Sequence, residues 1–395
     1  MKTLRNTSLI LILTTVVSQG EITKPWKKHI ILATNNGAEG QACRVNTAVA
    51  DDFDKDGKMD VMASYDAKVI LYRGPDWKPH VIVEEMPINP NTLGERRGCI
   101  HSAIMDVDGD GDMDFIGSNR MLFWLECPAK PFSGKWNLRM MNYDVNGAHC
   151  VITGDVDRDG KLEIIANSER DEKTSKIPFS ITFFRVPKDP HVDQLWKPIV
   201  FADKDAPGRN HYMGFGDVNK DGRPDISCAG VGVQGAADGW FAWWEQPENP
   251  DQAWKKHVLS DKEEGASNIL NCDINNDGHM DFVGSRGHGK GVVVFKGPEF
   301  GSIEIDATLV SPHSLAVADL NADGALDIVS CGSNPDSIAV IYLNDSKGNF
   351  TRQIIGENQG SYDTRIVDMD RDGDLDVLIG GAGTRNIVWY ANPLR

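Results

Sequence analysis

One nine-residue pattern, D-x-[DN]-x-D-G-x-x-[DE], occurs seven times in this chain, with starts 46 to 62 residues apart. The copies are DFDKDGKMD (52–60), DVDGDGDMD (106–114), DVDRDGKLE (155–163), DVNKDGRPD (217–225), DINNDGHMD (273–281), DLNADGALD (319–327) and DMDRDGDLD (368–376). A length of 395 residues would by itself suggest two or three domains. Self-similarity at a near-fixed interval overrides that prior, because it marks one supersecondary unit stacked on itself.

The same flanks recur around each copy. A short apolar strand leads in, and a second leaves, as in DFIGS (114–118) or DIVSC (327–331). A third, aromatic-rich strand follows at 69–75, 121–128, 241–247, 292–298 and 386–393. A fourth opens on an aromatic at 77–83, 136–141, 196–201, 254–259 and 350–355. Four short strands per repeat with turns between them predict the blades of a β-propeller. The last repeat stops after its third strand, and the missing fourth motif stands at the other end as WKKHIIL (26–32). The expected fold is therefore all-β: one domain over 21–395 with seven four-stranded blades, the ring closed by the N-terminal strand pairing with the last blade. Closure of that kind removes exposed sheet edges.

The loop pattern has a metal-binding logic. Oxygen side chains at positions 1, 3, 5 and 9 converge on one hard cation, while glycine at position 6 permits a sharp turn. The expected donors are Asp52, Asp54, Asp56 and Asp60; Asp106, Asp108, Asp110 and Asp114; and Asp155, Asp157, Asp159 and Glu163. They continue with Asp217, Asn219, Asp221 and Asp225; Asp273, Asn275, Asp277 and Asp281; Asp319, Asn321, Asp323 and Asp327; and Asp368, Asp370, Asp372 and Asp376. Oxygen-only donors favour Ca²⁺ over zinc or copper, so up to seven structural calcium ions are expected, with Mg²⁺ the alternative at some sites. The loops hold 27 of the 58 Asp and Glu residues and account for much of the net charge of −17. Loops four to six carry Asn at position 3 and only three acids each, and are expected to bind most weakly.

Residues 1–20 place Lys2 and Arg5 before an apolar run from Leu9 to Val17, followed by small residues. That is a signal-peptide layout, too short to span a bilayer comfortably, so the expectation is an exported protein in the periplasm, at the cell surface or secreted. The acidity argues against nucleic acid and anionic membranes as partners. Seven cysteines form no CxxC pair and read as small buried residues.

The loops with their flanking strands resemble the FG-GAP and VCBS repeat family over residues 26–393. The resemblance implies a calcium-binding propeller of the kind found in the integrin α-subunit head, with calcium loops that brace the blades. It leaves the activity open, since that family spans adhesion modules, lectin-like scaffolds, polysaccharide lyases and sugar dehydratases.

Each inner strand runs toward its loop, so the seven strand starts share the opposite face. Six residues before each loop stand Asn46, Ile100, His149, His211, Ser267, His313 and Tyr362; the next column is Thr47, His101, Cys150, Tyr212, Asn268, Ser314 and Asp363. Arg44 and Arg209 precede the first column by two residues, and Arg120, Arg286, His288 and Arg385 join from neighbouring loops. This mouth is the expected ligand site. Its arginines suit an anionic or polyhydroxylated ligand, and Tyr212, Tyr362 or Trp240 suit stacking on a sugar. The leading expectation is carbohydrate recognition. A polysaccharide lyase or sugar dehydratase is the enzymatic alternative, with His149, His211, His313 and Tyr212 as base and acid and Arg44 and Arg209 on the developing charge. The three histidines also suit a transition metal. A third alternative is a protein-interaction module working through the rim.

Overall fold

A computed structural model describes residues 22, 24–33, 44–88, 98–118, 121–169, 173–192, 195–232 and 235–394. The expected signal peptide at 1–20, Cys43 and Arg120 lie outside them. The described residues form 28 strands, β1 to β28 in chain order, and no helix. They make seven antiparallel four-stranded sheets, six of them from consecutive strands. In the seventh, β1 (Lys27–Leu32) pairs with β28 (Asn386–Ala391), completing the last blade from the N-terminal side.

The innermost strands are β2 (Thr47–Asp51), β6 (His101–Met105), β10 (Val151–Gly154), β14 (Arg209–Gly216), β18 (Asn268–Cys272), β22 (Pro312–Ala318) and β26 (Asp363–Val367). Each touches the next, and β26 returns to β2, so the ring is closed. The second strands are buried along their whole length, whereas every residue of outer strands such as β5 (Lys78–Val83) and β17 (Lys255–Glu263) is exposed or half-buried. Seven apolar clusters, each filled from two neighbouring blades, occupy the seven interfaces. Trp243 and Trp244 belong to these cores.

Three strands lacked a recognisable motif. The third strands of blades three and six are β12 (Ser180–Phe184) and β24 (Ile338–Asn344). The outer strand of blade five, β21 (Gly301–Val310), has no aromatic start and shows only in its pairing with β20 (Lys290–Lys296). The six described cysteines are unpaired and, except for half-buried Cys272, buried.

Candidate functional site

The seven loops share one internal design. The first Asp caps the turn: Asp217 accepts the Asp221 and Gly222 amides at 3.1 and 2.8 Å, and Asp52 accepts those of Asp56 and Gly57, both at 2.9 Å. The glycine sits at positive φ, 91° at Gly57, a region cheap only for glycine. The last acid is buried and fastens two segments. Asp225 accepts the Val218 and Gln246 amides, both at 2.9 Å, tying the loop to the end of the third strand; Asp114, Asp281, Asp327 and Asp376 repeat this. Burial first, and then the neighbouring loop acids, push the carboxyls of Asp60, Asp114, Asp225, Asp327 and Asp376 up to about 7.

In the first three loops the acids at positions 1, 3 and 9 bring one oxygen each within 4.8 Å of the others. Asp60 Oδ2, Asp155 Oδ1 and Asp157 Oδ1 are buried with no hydrogen-bond partner among the described residues. Loops four to six differ, because the Asn at position 3 donates to the acid at position 5: Asn219 to Asp221 at 2.9 Å, and Asn275 to Asp277 and Asn321 to Asp323 at 3.0 Å. An amide donor there partly does the work of a cation.

Position 4 is also left-handed, with φ near 60° at Lys55, Arg158, Lys220 and Arg371. That conformation throws the side chain toward the next loop around the ring. Lys55 reaches the Gly111 carbonyl at 3.0 Å and Asp112 at 2.5 Å, Arg158 the Gly222 carbonyl at 3.1 Å, Asn276 the Gly324 carbonyl at 3.0 Å, and Arg371 the Asp52 carboxylate at 3.0 Å. In the second and sixth loops this position is Gly109 and Ala322, which cannot reach.

On the opposite face the first column does converge. His149 and His211 stack at 4.0 Å between ring centroids, His313 stacks on Tyr362 at 4.0 Å, and one ring nitrogen from each of the three histidines lies within 4.8 Å of the others. All three are buried. Local irregularities aim them: the β14–β15 register shifts between Asn210 and Met213, and the β22–β23 register between Pro312 and Ser314, each shift spanning a histidine. Here β15 is Asp225–Gly232 and β23 is Asp327–Gly332. Side-chain amides of adjacent blades hold the backbone: Asn167 accepts the His149 and Cys150 amides at 3.0 Å and donates to the His211 carbonyl, while Asn268 donates to the His313 carbonyl at 3.3 Å.

His288 enters from its loop with Nε2 at 2.8 Å from His211 Nε2. Gly287 makes this possible, since a Cβ there would stand 2.8 Å from the Cα of His313. His211 Nδ1 donates to the Arg209 carbonyl at 2.7 Å, and His149 Nε2 meets the Tyr362 hydroxyl at 3.0 Å. Among the described residues His149 Nδ1 has no hydrogen-bond partner, and neither ring nitrogen of His313 makes a hydrogen bond of good geometry, although the Tyr362 backbone lies beside the ring. Burial, reinforced by the neighbouring imidazoles, holds His149 and His211 well below the usual histidine range. Burial lowers His313 to about 3, with His288 the next cause, and His288 itself to about 4. The cluster is neutral at physiological pH.

Below it, the second column lines a cavity of about 100 Å³ with His101, Cys150, Tyr212, Asn268, Ser314 and Asp363. His101 Nδ1 donates to the Val151 carbonyl at 3.0 Å, and its Nε2 accepts from the Arg365 guanidinium at 2.9 Å. Arg365 Nε stands 2.9 Å from Asp363, whose other oxygen accepts the Thr47 hydroxyl at 2.8 Å. Burial and then Arg365 lower His101 to about 4. With the folded value below the unfolded one, the unfolded state binds the proton first, so the stability His101 supplies is present above pH 6.5 and lost as pH falls toward 4. Its surroundings (Arg365, Asp363, Cys150 and Tyr212) make the site specific to this ring. In urea denaturation, the advantage of wild type over His101→Gln should shrink by about 3 kcal/mol between pH 7 and pH 4. A pH-independent difference would refute a neutral, buried His101.

The expected mouth residues thus divide by depth. Arg44 and Arg209 are exposed at the rim, Tyr362 and His288 are half-buried, and the three histidines form the floor. The Arg44 guanidinium lies 5.7 Å from the centre of the Tyr362 ring, and neither arginine is ion-paired with a described residue. Tyr212 lies under the histidines with its hydroxyl committed to the Tyr362 carbonyl at 2.8 Å, so Tyr362 presents the phenol that meets the cluster. Arg286 is occupied by Glu263 at 2.6 Å and by both oxygens of Glu304. Trp240 is buried and donates to the Pro207 carbonyl. Arg365 escaped sequence reasoning because it stands two residues inside an inner strand, where apolar packing was expected.

The FG-GAP-like repeat model matches residues 52–117, 273–330 and 319–379. Among curated proteins no sequence matches. Among solved structures, a lectin of Agrocybe aegerita, solved for its specific recognition of non-reducing terminal N-acetylglucosamine, superposes with a TM-score of 0.53. It is 18% identical, over 91% of this chain and 89% of that one, and at such identity the likeness bears on architecture alone. The chain is thus a seven-bladed β-propeller in which three regions match the FG-GAP-like repeat.

Proposed function

We propose that this protein is an exported, calcium-braced propeller that binds an acidic sugar at its histidine- and arginine-lined mouth. The observation that carries the reading is the pair Arg44 and Arg209. In a chain of net charge −17, both are exposed without an ion-pair partner among the described residues, and the Arg44 guanidinium lies 5.7 Å from the centre of the half-buried Tyr362 ring. A guanidinium fork suits a carboxylate or sulfate, and a tyrosine face suits a pyranose ring. A lectin shares this architecture, while the ligand class is read from the arginines and the tyrosine themselves. Calcium is supported by the converging acids of the first three loops and by their unpartnered buried oxygens. Export rests on the charged and apolar layout of residues 1–20.

Calorimetric titration of the calcium-loaded protein with uronic-acid oligosaccharides and their neutral counterparts tests this. Preference for the acidic series is expected, falling about 10-fold or more for Arg44→Ala and again for Arg209→Ala, as lost charge-assisted hydrogen bonds require. Equal binding of both series, or acidic binding that survives the double variant, would sink the proposal. The hydrogen-bonded pair of His149 and Tyr362 favours a second reading, proton transfer on the bound sugar. New ultraviolet absorbance from unsaturated products would establish a lyase, and binding without it a recognition module.

A further inference from the structure

We propose that His149, His211 and His313 bind a divalent transition metal ion of the Zn²⁺ class at the floor of the mouth. The site is separate from the acidic loops on the opposite face, and the inference does not depend on the sugar reading.

Three observations carry it. First, the imidazoles come from three different blades, yet one nitrogen of each falls within 4.8 Å of the others. Zinc–nitrogen bonds of roughly 2.0–2.1 Å place ligand nitrogens about 3.4 Å apart, so ring rotations moving each nitrogen by about 1 Å complete the set. Second, among the described residues buried nitrogens lack a hydrogen bond of good geometry: His149 Nδ1 and both ring nitrogens of His313. Burying a polar atom unsatisfied costs about 1–3 kcal/mol, and such atoms grouped around one point call for a common partner. Third, the outer contacts are already those of a ligand set. His211 Nδ1 donates to the Arg209 carbonyl, which fixes the tautomer and leaves Nε2 as an acceptor that meets His288 Nε2 at 2.8 Å, a contact a metal ion would replace.

The donors also select the ion. No carboxylate lies in hydrogen-bond contact with the three rings among the described residues, so the site offers neutral nitrogen only. Hard, oxygen-seeking Ca²⁺ and Mg²⁺ are poorly served, whereas Zn²⁺, Co²⁺, Ni²⁺ and Cu²⁺ are well served. Beside the three histidines, His288 Nε2 at 2.8 Å from His211 and the Tyr362 hydroxyl at 3.0 Å from His149 are placed to supply or hold a fourth ligand. A dication held by neutral ligands keeps its full charge and would add to Arg44 and Arg209 in drawing an anion to the mouth.

The test separates the two metal classes. Protein stripped of metal and returned to excess Ca²⁺ is titrated with Co²⁺ and followed by visible absorption, then challenged with Zn²⁺. One equivalent of Co²⁺ is expected, with ligand-field bands of imidazole coordination that Zn²⁺ abolishes. His313→Asn and His149→Asn should each raise the Kd more than the 10–100-fold typical of losing an outer-shell partner. His191→Ala should change nothing, although that exposed histidine lies with Asp108 and Glu126 in another cluster. No Co²⁺ uptake by the calcium-loaded wild type overturns the proposal without recourse to any variant. So does uptake that persists in both asparagine variants, or that vanishes with His191→Ala. Far-ultraviolet spectra and unfolding midpoints of the variants separate lost ligation from lost fold.

Discussion

In excess EGTA the protein is expected to unfold about 15 °C below its midpoint in 1 mM Ca²⁺. An ion present at a thousandfold its dissociation constant adds about 4 kcal/mol to the folded state, so the three loops with converging acids would together supply about 12. The unfolding entropy of a chain this size is roughly 0.8 kcal/mol per degree, which turns that sum into the stated shift. Loops four to six should contribute less, because their Asn already donates to the position-5 carboxylate. Differential scanning calorimetry with and without chelator reads the effect. An unchanged midpoint would remove the structural role from the loop cations.

Deleting the residues before 34 should be nearly as damaging. The strand β1 pairs with β28, His29 stacks on Trp389 at 4.1 Å, and the buried side chains of Trp26 and Ile31 enter the two interfaces on either side of the last blade. Two buried side chains at about 2–3 kcal/mol each, with several backbone hydrogen bonds at about 1, give a loss on the order of 8 kcal/mol. The deletion would also bare β28 as an edge, inviting pairing with another copy. Size-exclusion chromatography should therefore show oligomers, and a synthetic peptide of residues 24–33 should restore the monomer. A deletion variant that stays monomeric with its midpoint intact would mean that β1 does not close the ring.

The architecture was legible because it is written seven times. Each loop fixes one blade, and WKKHIIL at the start supplies what the last blade lacks. The inner-strand columns were legible too, since counting back six residues from each loop finds His149, His211, His313 and Tyr362 in contact. What escaped depends on irregularity. The bulges at His211 and His313 leave no mark in local composition, and Arg286 shows its two glutamate partners only once strands are paired. Tyr212 and Tyr362 exchanged parts for the same reason, because a phenol one position deeper turns its hydroxyl to a backbone carbonyl.

The side chains that pass from one loop to the next have a consequence for how the ring comes apart. A closed circle of equal blades has no natural place to open, but this one is fastened unevenly. Lys55, Arg158, Asn276 and Arg371 clasp their neighbours, and Lys220 lies against Gly278. Gly109 and Ala322 leave the second and sixth loops without such a clasp, and a groove of about 800 Å³ lies at the first of these gaps, between the second and third blades. In these position-4 contacts the circle is divided into two arcs, blades seven, one and two against blades three to six; the seams are held instead by His191, 3.0 Å from Asp108, and by Asn392, which donates to the Leu320 carbonyl at 2.7 Å.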